Sequence, residues 1–96
     1  MTEGEFRRAA AAKGYQPPNG KTWEAGRFND WHTHPFDLYV HILEGEMTLQ
    51  VEAGDGSVAV TTIGAGEQIE VPAEARHTER IGAAAAYFLS APRPVS

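Results

Sequence analysis

Length, composition and charge restrict what this chain can be. Its 96 residues suffice for one small domain and exclude a second, and 42% apolar residues favour a folded chain over a disordered one. The net charge of -5, without a cluster of basic residues, argues against a nucleic-acid partner, and the absence of cysteine excludes disulfides, thiolate metal sites and thiol catalysis.

Residues 1–14 have the pattern of one short helix. Thr2 followed by Glu5 forms a capping box, the residues after it are good helix formers, and a glycine ends the run. The apolar side of this helix offers Phe6 and small alanines, which is too little for it to fold alone. We therefore predict a helix that packs on the body of the domain, and we expect that body to be a single domain over residues 15–96.

After a Pro-Pro-Asn-Gly break, extended segments alternate with turn signals, as in an all-β domain that is closed or built from two sheets. The clearest strand is residues 46–52, where apolar and polar side chains alternate. Glycines on either side predict tight turns to strands at 38–43 and 57–62, and so a meander of three strands. Further strands are predicted at residues 69–72, 76–81 and 85–90. The proline-rich tail beyond Ala91 is expected to fray.

The tripeptide His32-Thr33-His34 carries the clearest chemical signal. In an extended segment its two imidazoles point to one face, with Cα atoms about 7 Å apart. Two such rings can bind one ion at about 2.1 Å from each nitrogen, which suits iron, zinc, nickel or copper. An isolated HxH pair in a β protein more often lies on the surface and binds no metal. The prediction of a metal site therefore depends on a third ligand.

The spacing of residues around this pair resembles the two conserved motifs of the cupin superfamily. The residues that match in order are His32, His34, Gly45, Gly66, Pro72 and His77. The matching region runs over residues 31–81, about half the chain. The resemblance implies an all-β, cupin-type jelly-roll β-barrel with a short N-terminal helix. It also implies that the three histidines bind one divalent metal ion, whose identity (Fe, Zn, Mn or Ni) stays open.

Three positions depart from the cupin motifs. Leu38 stands where the first motif has glutamate, Glu74 where the second has glycine, and Ile81 where asparagine often follows the third histidine. Without that glutamate, three neutral ligands leave the charge of a divalent ion uncompensated, which favours an anionic ligand. Asp37 and Tyr39 flank the vacant position, but strand alternation turns both to the opposite face, so either would need a bulge to reach the ion.

Glu79 is the candidate for a carboxylate beside the metal. It follows His77 by two residues and therefore faces the same way in a regular strand. We consider it as a catalytic general acid or base, and the alternative is a solvated residue at a sheet edge. The fourth histidine, His41, falls between two apolar residues of the strand at 38–43 and is predicted to face away from the site.

Two classes of function stay open. The first is a metal-dependent enzyme of dioxygenase, isomerase or lyase type that acts on a small anionic organic molecule, as the resemblance implies. The second is a non-catalytic module that binds or senses a small molecule. A third reading is a barrel that binds no metal, with vestigial histidines. Substrate assays with restored metal would separate the first two.

Location and assembly follow from simpler features. The longest apolar stretch, residues 83–89, is too short to span a bilayer, and the first residues are acidic where a secretory signal is basic. We therefore expect a cytoplasmic protein without membrane contact.

The strand at 38–43 has an outer face formed by Tyr39, His41 and Leu43, which the helix would not cover alone, so we expect a homodimer.

Overall fold

The computed structural model describes residues 1–95 of the chain, and Ser96, the last residue of the predicted domain, lies outside them. One helix, α1, spans Glu3–Ala12. The strands are β1 Asn19–Trp23, β2 Phe28–His32, β3 Phe36–Glu44, β4 Glu46–Glu52, β5 Val58–Gly64, β6 Gln68–Val71, β7 His77–Ile81 and β8 Ala86–Pro94. Among the residues described, no helix combines the length and the apolar character that crossing a membrane requires.

Two four-stranded antiparallel sheets enclose the core. The first sheet has the strand order β1-β8-β3-β6 and the second has β2-β7-β4-β5. Inward-facing apolar side chains from both sheets, among them Ile42, Met47, Leu49 and Phe88, form one buried cluster. Within residues 1–95, β4 and β5 are the one pair of consecutive strands that are also neighbours in a sheet. This is jelly-roll topology, and the predicted all-β fold with a short N-terminal helix is confirmed.

The predicted meander is wrong at its first turn. β3 and β4 lie in different sheets, so Gly45 carries the chain from one sheet to the other instead of closing a hairpin. Gly45 has a φ of 81°, and a Cβ there would lie 2.7 Å from the Ala85 carbonyl oxygen and 2.9 Å from the Ala86 Cα. Glycine is therefore required on both counts. A turn signal locates the turn, but it does not tell which sheet receives the next strand.

α1 covers the outer face of the first sheet. The predicted capping box is present, because the Thr2 hydroxyl accepts a hydrogen bond from the Glu5 backbone and the Glu5 carboxylate accepts one from Thr2. Phe6 is fully buried against the rings of Tyr39 and His41, at centroid distances of 4.6 and 4.9 Å. Burial of such a side chain contributes about 2 kcal/mol. The expectation that the helix leaves Tyr39 and His41 uncovered is therefore wrong.

The C-terminal segment does not fray as predicted. β8 continues to Pro94 and pairs with β3 as far as Phe36. The Arg93 guanidinium donates hydrogen bonds to the Asp37 carboxylate at 2.8 and 3.0 Å, and also one to the Lys13 carbonyl at 2.7 Å. Prolines are tolerated here because β1 pairs only with the first half of β8, so the second half is an edge that needs no N–H on its open side.

Asp37 connects three parts of the fold. Its carboxylate accepts a hydrogen bond from the Ala73 backbone N–H at 2.8 Å, in the β6–β7 turn, as well as those from Arg93 on β8. The Ala73 N–H first, and Arg93 second, hold the pKa of Asp37 below its ordinary value. The ionised carboxylate therefore holds the turn that leads into β7 against β3.

We predict that Asp37→Asn destabilises the protein near neutral pH but has little effect in acid. Because the folded-state pKa of Asp37 is depressed, its stabilising effect is present above the unfolded-state pKa of about 3.9 and is lost as the pH falls through the folded-state value. Urea unfolding at pH 7 and pH 3 measures this difference. An equal deficit in the free energy of unfolding at both pH values would contradict the prediction.

Glu74 has a strained backbone. It has a φ of 65°, and it is the one residue other than glycine with a positive φ among residues 1–95. It stands where the cupin motif has glycine, so the turn keeps a left-handed conformation without the residue that adopts it freely. Its N–H donates to the His34 carbonyl at 2.8 Å, so the strained turn also anchors the segment that contains His34.

We predict that Glu74→Gly raises the free energy of unfolding by about 1 kcal/mol, because the relief of left-handed strain exceeds the added entropy of the unfolded chain. Thermal unfolding measures the gain. Ala73→Gly, in the same turn but without a positive φ, is the matched control and is expected to destabilise. A loss of stability in Glu74→Gly would contradict the strain argument.

Candidate metal centre

Three histidine side chains lie together between the two sheets. His32 ends β2, His34 lies in the connection to β3, and His77 begins β7 directly opposite His32 in the sheet. One ring nitrogen from each residue lies within 4.8 Å of those of the other two. The structure therefore brings together the three residues that the sequence predicts as metal ligands.

The local path of β2 sets the direction of the first ligand. β2 pairs with β7 at Phe28 and Asn29, and the register shifts before His32 meets His77. Such an irregularity bends a strand and changes where its side chains point, and it is frequent beside functional sites. β2 also ends at His32, so Thr33 and His34 lie outside the strand, although both imidazoles reach the same cavity.

Backbone carbonyls determine which ring nitrogens face the site. The Nδ1 atom of His32 lies 2.6 Å from the Asp30 carbonyl oxygen, and that of His77 lies 2.9 Å from the Ala75 carbonyl oxygen. A carbonyl only accepts hydrogen bonds, so both Nδ1 atoms must carry the proton. In the neutral rings this leaves the lone pair on Nε2, the atom that would bind a metal.

The Nε2 atom of His77 is the clearest sign of a missing partner. His77 is buried, and among the described residues its Nε2 is the one buried side-chain nitrogen or oxygen atom without a hydrogen-bond partner. A buried acceptor that stays unpaired costs about 1–3 kcal/mol. This lone pair next to two other imidazoles fits a divalent ion, since imidazole is a preferred ligand of transition metals.

His34 is held in the form that binds metals. Burial lowers its pKa, and the neighbouring rings of His77 and His32 lower the pKa further. Its ring also stacks on Phe36 with a centroid distance of 4.9 Å, which restricts its rotation. A neutral imidazole offers its lone pair to a metal without first losing a proton.

Glu79 places a carboxylate beside the histidines. It is 6% exposed, its Oε1 lies 2.9 Å from the Nε2 of His32, and the Asn29 amide is a further neighbour at 3.5 Å. The alternative that Glu79 is a solvated edge residue is wrong, because β7 lies between β2 and β4 in the interior of its sheet. Strand alternation from His77 correctly predicts the direction of this side chain.

The remaining candidates lie elsewhere. Leu38 borders the cavity at the position where the cupin motif has glutamate. Asp37 pairs with Arg93, and Tyr39 is buried beneath α1, so neither reaches the site. His41 stacks on the helix and its Nδ1 lies 3.3 Å from Gln68, away from the other histidines as predicted.

A cavity of about 130 Å³ opens beside the rings of His32 and His34. Its lining residues are Lys21, Trp23, Asn29, His32, His34, Leu38, Val40, Glu79, Phe88 and Ser90. Sequence analysis missed the members from β1 and β8, since no local pattern indicates that these strands border the site. A wider and more open groove of about 590 Å³, between the β4–β5 and β6–β7 turns, contains none of the three histidines.

Comparison with known proteins gives a family match and structural likenesses. The family model of the cupin domain matches residues 21–90. No curated protein matches the chain. The family match includes both predicted motifs and the strands on either side of them.

Solved structures with this fold include an enzyme and a protein-binding domain. A variant of Bacillus subtilis oxalate decarboxylase has a TM-score of 0.76 and 15% identity over 91% of this chain and 23% of that one. Drosophila melanogaster CENP-C, in its structure bound to CAL1, has a TM-score of 0.70 and 12% identity over 76% of this chain and 58% of that one. The chain thus spans about a quarter of the first protein's length and over half of the second's. These likenesses show the cupin fold.

We predict that protein purified without a histidine tag holds about one divalent ion per chain, and that His34→Ala and His77→Ala lose it. Each substitution removes one of the three nitrogens that converge. Elemental analysis measures the metal content. His41→Gln is the matched control, because its ring lies beneath α1. Metal retained by His77→Ala, or lost equally from the control, would contradict the assignment.

Proposed function

The chain belongs to the cupin domain family, and on that basis we propose that it is a small metal-binding cupin that acts on a small anionic organic molecule. His32, His34 and His77 would hold the divalent ion. The observation that carries the proposal is the buried, unpaired Nε2 of His77 next to the other two rings. Iron, zinc, manganese and nickel all accept such ligands, and a bound ion supplies a Lewis acid with open coordination positions.

The charge and size of the cavity support a small anion as ligand. Three neutral imidazoles leave the positive charge of an ion uncompensated, and the Lys21 side chain adds a further positive charge to the lining. Asn29 and Ser90 offer hydrogen bonds, whereas Trp23 and Phe88 form an apolar wall. A volume of about 130 Å³ equals only a few water volumes of about 30 Å³ each, so the ligand has on the order of five non-hydrogen atoms.

An enzymatic role of dioxygenase, isomerase or lyase type is the first form of this proposal. The fold likeness to oxalate decarboxylase, an enzyme, supports this direction. Glu79 is the carboxylate that lines the cavity, so it is the group that would give or take a proton as general acid or base.

A non-catalytic binding or sensor module is the second form. The fold likeness to CENP-C, a protein solved bound to a protein partner, supports this alternative. In this form the metal and the cavity bind a small molecule without turning it over. We expect no nucleic acid or membrane as partner in either form.

We keep the predictions of a cytoplasmic location and of a homodimer. The outer face of β3 is not available to a second copy, since α1 buries Tyr39 and His41. A second copy has another surface available, because β5 lies at the edge of its sheet and exposes Val58 and Val60. Sedimentation as a monomer would overturn this part of the proposal.

We predict that small carboxylates bind the metal-loaded protein and not the metal-stripped protein. Titration with formate, acetate, lactate and citrate, followed by calorimetry and by the tryptophan fluorescence to which Trp23 in the cavity wall contributes, measures the affinity. Citrate is expected to bind weakest because it exceeds the cavity. Lys21→Gln is expected to weaken acetate binding several-fold, since it removes a positive charge. Equal binding by loaded and stripped protein would contradict the proposal.

Turnover separates the two forms of the proposal. The enzyme form predicts that metal-restored protein converts a substrate in assays of dioxygenase, isomerase or lyase type, and that Glu79→Gln slows the conversion. The binding form predicts affinity without conversion. If protein that binds carboxylates and metal converts no substrate in any of the three classes of assay, the enzyme form is contradicted.

A further inference from the structure

The Glu79 carboxylate faces the nitrogen of His32 that a metal would use. Its Oε1 lies 2.9 Å from that Nε2, while the Nδ1 of the same ring donates to the Asp30 carbonyl at 2.6 Å. A neutral ring that donates through Nδ1 has a lone pair on Nε2, and a carboxylate is an acceptor as well. Two acceptors at this distance repel each other unless a proton or a metal ion lies between or beside them.

The separation of the two atoms can be compared with the spacing of ligand atoms around one ion. When metal–ligand bonds are about 2.1 Å long, adjacent ligand atoms lie about 3.0 Å apart in an octahedral site and about 3.4 Å apart in a tetrahedral one. The observed 2.9 Å between Glu79 and His32 matches an octahedral edge and is also the length of an ordinary hydrogen bond. The nitrogens of His32, His34 and His77 converge without the Glu79 carboxylate, so this side chain would have to shift toward them for one ion to bind all four.

The burial of Glu79 also favours a cation next to its carboxylate. The side chain is 7% exposed, and among the described residues His32 is the one basic group within 4.0 Å of the carboxylate. Asn29 contributes a long hydrogen bond of 3.5 Å. A buried carboxylate is costly unless a cation compensates it. Lys21 lines the same cavity but is not paired with this carboxylate, so a metal ion bound between Glu79 and His32 would supply the direct compensation.

We propose that Glu79 on β7 is a fourth metal ligand. It would replace the glutamate that the cupin motif has at the position of Leu38 on β3. This inference rests on the proposed metal site. Leu38 and Glu79 line the same cavity from opposite sheets, so a carboxylate from either strand reaches the same space. The set of ligands would still be three imidazoles and one carboxylate, but the negative charge would come from the second sheet instead of the first.

This role changes what the site can do. A carboxylate bound to the ion is not free to take a proton from a substrate, so Glu79 would not be the general base that the sequence suggests. The centre would carry one net positive charge instead of two. Four protein ligands leave two of six octahedral positions open, which suits a monoanionic ligand that binds through one or two oxygens.

The test compares the binding of Mn²⁺ and Ni²⁺ to metal-stripped protein by calorimetry. Carboxylate matters more to the hard Mn²⁺, while Ni²⁺ binds well to imidazole alone. We expect Glu79→Gln to weaken Mn²⁺ binding at least 100-fold and Ni²⁺ binding about tenfold or less. Glu52→Gln is the matched control, because it makes the same change at a surface carboxylate paired with Arg76. It is expected to change neither affinity.

Each other outcome has a distinct meaning. Equal weakening of both ions by Glu79→Gln would overturn the proposal, because a residue that merely orients His32 affects every metal alike. Unchanged binding of both ions would overturn it as well. A wild-type protein that binds neither ion would instead overturn the metal site itself, and so the proposed function.

A measurement on the wild-type protein covers the case in which Glu79→Gln does not fold. Infrared difference spectra before and after the addition of Mn²⁺ report directly on carboxylates. We expect one glutamate carboxylate band to shift when the ion binds. Binding of Mn²⁺ without any shift of a carboxylate band would overturn the proposal.

Discussion

Two backbone carbonyls determine the chemistry of this domain. The oxygens of Asp30 and Ala75 require the protons of His32 and His77 to sit on Nδ1. In the neutral rings the lone pairs are then on Nε2, and the two rings lie together with that of His34. Lone pairs that converge in a buried space repel unless a cation joins them. The proposed metal, the preference for an anionic ligand and the role of Glu79 all depend on this arrangement.

The rest of the fold keeps these rings in place. Pairing between β2 and β7 sets His32 opposite His77, and the N–H of the strained Glu74 holds the carbonyl of His34. Asp37 joins β3, β8 and the β6–β7 turn that leads into His77. Preorganisation of this kind lets a small two-sheet domain present three ligands from separate segments without a large core.

Features that depend on local spacing are predictable from the sequence. The capping box, the HxH pair and the direction of Glu79 each follow from residues close together in the chain. The meander and the frayed tail were wrong, because a turn signal at Gly45 does not name the receiving sheet, and a proline-rich segment does not reveal the partner that Arg93 finds in Asp37. The walls contributed by β1 and β8, including Lys21, were missed because they depend on topology.

The central claim is that one ion binds to three imidazoles in this cavity. An anomalous difference map from a crystal of the protein soaked in Mn²⁺ or Zn²⁺ tests it most directly. We expect a single strong peak about 2.1–2.2 Å from one ring nitrogen of each of His32, His34 and His77. A map without a peak in the cavity, or with the ring of His77 turned away from the other two, would contradict it.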